Sequence, residues 1–99
     1  MKPPNQLDGA TVVLWAWSSD RPFFEMPYSD GSGGIPIHGL AVCRYDESEA
    51  VYRFSCDSHW DVQNDTDHKS IDDARTCPSA QYDVERVKWQ TWVPDDGTS

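Results

Sequence analysis

The sequence contains no long hydrophobic run. Its longest apolar stretch, Val12 to Trp17, falls well short of the ~20 residues that a membrane-crossing helix needs. That stretch is also too short for a signal-peptide core and lacks a small-residue cleavage site, so the expected location is cytoplasmic and no membrane partner is expected. Cysteine is scarce: three residues, an odd number without regular spacing, which excludes a disulfide framework and fits a reducing compartment. Basic residues are few. Eight Lys and Arg stand against 17 Asp and Glu, for a net charge of −9. Nucleic-acid binding draws its affinity mainly from Lys and Arg at phosphates, so this balance excludes nucleic acid as the expected partner. The same charge favours rapid encounter with a basic protein. The apolar share, 37%, lies below the ~45–50% of typical globular domains. Aromatics make up part of the deficit, with five Trp, four Tyr and three Phe. Each buries roughly 150–250 Å², enough for a core rich in rings.

The 99 residues are expected to form a single small domain. Its centre lies between His38 and Asp65. Ala41, Cys43 and Tyr45, then Tyr52, Phe54 and Cys56, then Trp60 and Val62 recur at every second position. Successive side chains of a strand point to opposite faces, so this period predicts a three-stranded antiparallel meander, with turns at Asp46 to Ala50 and at Asp57-Ser58. Upstream, residues 1–8 read as a loose arm. Ala10 to Trp17 reads as a strand buried on both faces. Ser18 to Pro36, with three Pro and three Gly, reads as a long loop without secondary structure. Its Phe23, Phe24, Met26 and Tyr28 either tuck under the sheet as a lid or present an apolar patch to a partner. Downstream, Asn64 to Lys69 reads as a turn-rich break. Ser70-Ile71-Asp72-Asp73 has the form of a capping box and opens a short helix, with Ile71 and Ala74 toward the sheet. Pro78 either follows the end of that helix near Thr76 or opens a second helical turn. Val84 to Val93 reads as a last strand, and residues 94–99 as a frayed tail. The expected fold is α+β: a mostly antiparallel sheet of about four to five strands with one short helix on one face.

Candidate chemistry is sparse. Cys56-x-x-His59 has zinc-ligand spacing, and Cys43 and His68 would have to complete the set, but no second pair exists and no metal is expected. From Asp61 to Asp72 the acidic spacing resembles a calcium loop, yet Thr66 stands where Gly is required and Asp72 where Glu is. Cys56, His59 and Asp61 lack the flanking pattern of a cysteine enzyme. The DGSGGIP segment has the glycines of a phosphate loop without its GK[ST] ending. No cofactor is expected. The reading that follows is a small acidic, non-catalytic interaction domain, an immunity- or inhibitor-like binder of a basic protein. Its contact residues would be Phe23, Phe24 and Tyr28 from the long loop and Asp57, Asp61, Asp65, Asp67, Asp72 and Asp73 from the acidic segment. The alternatives are a small enzyme or ligand-binding domain, or a structural homodimer. The first would have a pocket between residues 18–36 and the sheet, drawing on His38, Cys56 and His59 with Asp20 or Asp30. The second would join through an edge strand or the Trp89/Trp92 end.

Overall fold

A computed structural model describes residues 2–28 and 30–94. The chain runs through strands β1 (Gln6–Leu7), β2 (Ala10–Trp17), β3 (Phe24–Pro27), β4 (Gly34–Ile37), β5 (Gly39–Arg44), β6 (Val51–Cys56) and β7 (Val62–His68), then helix α1 (Ile71–Thr76), a 3-10 turn at Val84–Arg86, and β8 (Gln90–Thr91). The main sheet is antiparallel, ordered β1-β2-β5-β6-β7, with β8 also pairing with β2. It curls into a half-barrel with α1 on one side, so the α+β expectation holds with sheet dominant. The first two strands of the meander, the 10–17 strand and the helix start lie where the sequence places them, whereas Trp60 stands in the loop before β7 and not in the third strand.

Register sorts the side chains into transverse rows. Directly opposed residues of antiparallel strands share a face. On one face the rows are Trp15, Ala41, Phe54, Asp65; then Trp17, Gly39, Cys56, Val62; then Val12, Cys43, Tyr52, Asp67. On the other they are Leu14, Val42, Arg53, Thr66; then Ala16, Leu40, Ser55, Asn64; then Thr11, Arg44, Val51, His68. A bulge between Val12 and Leu14 lets β2 serve both faces with apolar residues.

The second face carries α1. Ser70 Oγ accepts from the Asp73 backbone N–H at 3.0 Å, capping the helix start. Ile71 and Ala74 pack on Leu14, Val42 and Val51. The helix ends at Thr76, and Cys77 leaves in an extended conformation, so Pro78 follows the helix rather than opening another turn. Arg53, buried in the sheet, donates from one guanidinium nitrogen to the carbonyls of Ala74 at 2.9 Å and Cys77 at 2.6 Å. It thereby satisfies carbonyls that the helix end leaves unpaired, and its charge complements the negative end of the helix dipole. Tyr82 lies 5.6 Å from the guanidinium carbon and completes the enclosure.

Four expectations are corrected. Residues 18–36 are not structureless. They contain the β3–β4 hairpin, whose turn is fixed by Asp30 Oδ1 accepting from the Ser32 N–H and hydroxyl, with Gly31 and Gly33 at positive φ. The prolines are tolerated because both strands of a two-stranded ribbon are edges. Residues 64–69 are not a break: the alternation continues through β7, where polar side chains are acceptable because the strand lies at an edge. Residues 84–93 form only the 3-10 turn and a two-residue strand. Asp83 caps that turn, and Gln90 and Thr91 pair with β2, with one further backbone bond from the Trp92 N–H to the Val13 carbonyl at 2.9 Å. Residues 1–8 are not all loose: β1 pairs with β2, Leu7 and Pro3 are buried, and Trp92 Nε1 donates to the Pro3 carbonyl at 3.0 Å. Of the expected frayed tail, residues 95–99 lie outside the described residues.

Candidate functional site

The face opposite α1 has a different construction. Every buried member of its core comes from β1, β2, β5, β6 or the 57–61 loop, and no helix or second sheet covers it among the described residues. Leu7, Ala10, Val12, Ala41, Cys43, Phe54, Cys56 and Trp60 are buried there. Trp15, Trp17, Tyr45, Tyr52, Val62 and Trp92 are half-buried around them. The small residues Gly39, Ala41 and Cys43 down the centre of β5 leave room for the rings above them. Tyr45 and Tyr52 meet edge to face at 5.5 Å, and Tyr52 stacks on Phe54 at 6.1 Å.

Trp60 closes this face. The Asp57 carboxylate accepts from the N–H groups of His59 and Asp61, and the Trp60 N–H reaches back to the Asp57 carbonyl. This tight loop puts Trp60 at φ 64°, a left-handed position that glycine ordinarily takes. A side chain there costs roughly 1–2 kcal/mol. In return the indole is driven against β5, where a Cβ on Gly39 would lie 2.5 Å from it. It also packs on Trp17 at 5.5 Å and meets Trp15 edge-on at 6.4 Å. Burying a ring of that size outweighs the strain, since truncating a buried Trp costs about 3–5 kcal/mol. Trp60 Nε1 is buried without a hydrogen-bond partner among the described residues.

The rim of this face is acidic. Asp65 and Asp67 extend the Phe54 and Tyr52 rows onto β7, and both are exposed. Asp8 closes the opposite corner, where the Tyr45 hydroxyl donates to the Asp8 carbonyl at 3.0 Å. Partial desolvation and then the nearby Asp8 charge, with smaller contributions from Tyr52, Asp65 and Cys43, push the Tyr45 phenol above its ordinary value. Neither Asp65 nor Asp67 has a cationic partner among the described residues. Lys2, over the Trp92 ring at 4.4 Å, is the basic group found at the far end of the face. On the helix side lie Arg44, Arg53, Lys69 and Arg75. Acidic groups lie on that side too, Glu49 beside Arg44 and Lys69, Asp72 and Asp73 in the first turn of α1 and Glu85 near Arg75, so the helix side is mixed in charge.

The expected contact residues divide accordingly. Asp61, Asp65 and Asp67 are exposed. The Asp57 carboxylate is consumed in its own loop, and the Asp73 carboxylate is held by His68, whose Nδ1 lies 3.0 Å from it. Asp72 pairs with Arg75 on the helix. Phe24 stacks on Tyr82 at 5.5 Å, and Phe23 packs with it over Ala16, Ile37 and Leu40, leaving Tyr28 exposed. Most of the hairpin's apolar side chains are therefore turned inward.

The residues named for a pocket do not form one cluster. His38 stacks on Trp17 at 5.6 Å and is hydrogen-bonded to Ser18 Oγ at 2.7 Å. His59 is exposed on its loop, while the Cys56 side chain is buried in the core. Asp20 is exposed, and Asp30 is engaged in its turn, where the Ser32 hydrogen bonds hold its carboxyl below the usual value. Burial pushes the Cys43 thiol up to about 12, and burial first and Cys43 next push Cys56 up as well, which opposes thiolate chemistry at either. No group of three metal-ligating side chains converges among the described residues. One cavity of about 270 Å³ lies by the helix, lined by Arg75, Thr76, Val84, Glu85, Val87 and Trp89, away from all of these groups. Nor is any helix among the described residues long and apolar enough to cross a membrane.

No family model, curated protein or solved structure matches this chain. The site therefore stands on its own geometry. Sequence reasoning missed Asp8, Trp15, Trp17, Tyr45 and Tyr52 as members of it. The available signal was the alternation of Asp65 and Asp67 with Asn64, Thr66 and His68, which continues the meander once 62–68 is read as a strand.

Proposed function

We propose that the domain is a non-catalytic interaction module that binds a basic protein through the aromatic face of its sheet, in the manner of an immunity or inhibitor protein. The observation that carries this reading is the placement of Asp65 and Asp67, without cationic partners among the described residues, in the same transverse rows as Phe54 and Tyr52. Half-buried rings are the side chains that most often anchor interfaces, and an acidic rim steers a cationic partner onto them. The net charge of −9 adds long-range attraction. The buried thiols of Cys43 and Cys56, with their raised pKa, are unsuited to act as nucleophiles.

The test is association with a panel of small basic proteins, with acidic proteins of matched size as controls, at about 0.01 M and about 0.3 M salt. The expected result is selective binding to basic members, with an association rate that falls as salt rises. Asp65→Asn with Asp67→Asn should lower that rate, whereas Asp72→Asn on the helix side should leave it unchanged. Equal binding to acidic and basic panels, or indifference to the Asp65/Asp67 pair, would refute the reading.

A further inference from the structure

We infer that β7 is a strand-addition site: an extended basic segment of the partner, with Lys or Arg at alternate positions, adds to the free edge of Val62–His68. This rests on the reading of the domain as a binder of basic proteins and specifies how the binding is made. β7 is the terminal strand of the main sheet, and its outer edge is unpaired among the described residues. The opposite flank offers much less, because β1 and β8 are two residues each and cover β2 in turn. An open edge presents N–H and C=O groups that an incoming extended chain can satisfy. Register with β6 is regular from Asn64 to His68 and shifts at Gln63, so the usable edge is those five residues, ~17 Å long.

Side-chain alternation sets the chemistry of the incoming strand. Every second residue of it faces the aromatic side, next to Asp65 and Asp67, at the ~4.5–5.5 Å spacing of cross-strand neighbours. Lys or Arg suits those positions, with its aliphatic stem laid toward Tyr52 and Phe54. The intervening residues face Asn64, Thr66 and His68. His68 is already hydrogen-bonded to Thr66 Oγ1 at 2.7 Å and paired with Asp73. That side takes small or β-branched residues such as Thr or Val. Lys69, just beyond the strand, sits with Arg44 and Ile71 on the helix side, apart from the acidic pair. A second copy of this chain is a poor occupant. Pairing β7 with its own copy brings two Asp65/Asp67 pairs together between molecules that each carry −9.

The probe is an octapeptide of alternating Lys and Val added to the intact chain at low salt. Its controls are a Glu–Val counterpart and a Lys–Val version with alternate backbone amides N-methylated, which keeps the charge and removes main-chain donors. The expected result is slowed amide exchange within Asn64–His68 and a roughly three-fold loss of affinity for each of Asp65→Asn and Asp67→Asn. N-methylation should cost on the order of ten-fold. If the N-methylated peptide binds as well as its parent while the Asp variants weaken both, strand addition is wrong and the acidic-face reading stands. If the Glu–Val peptide binds equally, both fall; if no peptide binds while basic proteins of the panel do, strand addition alone is wrong. Concentration-dependent protection of β7 without peptide would overturn the proposal in favour of a homodimer.

Discussion

The two faces of the main sheet solve the same packing problem in different ways. The helix face is covered by a second layer, and its buried polar groups find partners: Arg53 reaches two carbonyls at the end of α1, and His68 lies between Thr66 and Asp73. The aromatic face has no second layer among the described residues. It buries Cys43, Phe54 and Cys56 by curling and by folding Trp60 down from a strained loop, at the expense of an unbonded indole N–H. A covered face is stabilised by contacts that its helix completes. An uncovered one depends on a single closing side chain, and it leaves rings at the surface for something else to meet.

The largest expected effect breaks the aromatic face at that side chain. Trp60→Ala should lower stability by about 3 kcal/mol, read from the urea midpoint at unchanged slope. Trp60→Gly should be the milder of the two, reversing the usual order, because glycine accepts positive φ without strain. Gly39→Ala should cost about 2–3 kcal/mol, since its new methyl collides with the indole. In Trp60→Gly that penalty should largely vanish. Additive losses in the double variant would show that the Gly39–Trp60 contact is not what constrains the site.

On the helix face, Arg53→Met should cost about 2–3 kcal/mol through two lost charge-assisted hydrogen bonds to α1. Unlike the Trp60 variants, it should leave binding of basic partners intact whenever the chain is folded. A further contrast is alkaline. The unfolded thiol of Cys43 ionises near its ordinary 9.0, but the folded one only near 12. The unfolded state therefore loses its proton first. Stability is fully present below about pH 9 and declines as pH rises toward 12, with about 1–2 kcal/mol lost from this thiol by pH 10. Cys43→Ala should flatten that decline in urea titrations at fixed pH, after allowance for its own lower baseline. The smallest effect is Ser70→Ala, about 1 kcal/mol for a lost helix cap, visible as a small shift in midpoint.

These contrasts also explain what could be read before any coordinates. Period two places Ala41, Cys43, Tyr52, Phe54 and Cys56 on one face because hydrophobic alternation reports directly on a half-buried strand, while Trp60 reaches that face from a loop. The Ser70 cap was legible because its chemistry is local. Two things were not. An edge strand such as β7 has a solvated side and need not carry apolar residues, so NDTDH resembles a turn. The 18–36 hairpin is short, rich in Pro and Gly, and held by packing onto Ala16 and Leu40 from distant strands, which no local pattern encodes. The candidate site suffered from the first of these. Without β7 as a strand, Asp65 and Asp67 appear only as part of a diffuse acidic run.

The tryptophan arrangement has an optical consequence. Trp60 is only 5% exposed, its indole N–H is free of hydrogen bonds, and Trp15 and Trp17 lie within 6.4 Å of it. Indoles that close couple electronically, so the trio should give an exciton signature in circular dichroism and a blue-shifted emission that Trp60→Phe removes. A partner that covers the aromatic face as far as β2 will change the polarity around Trp15 and Trp17. The domain thus carries its own spectroscopic gauge of occupancy, with no added label.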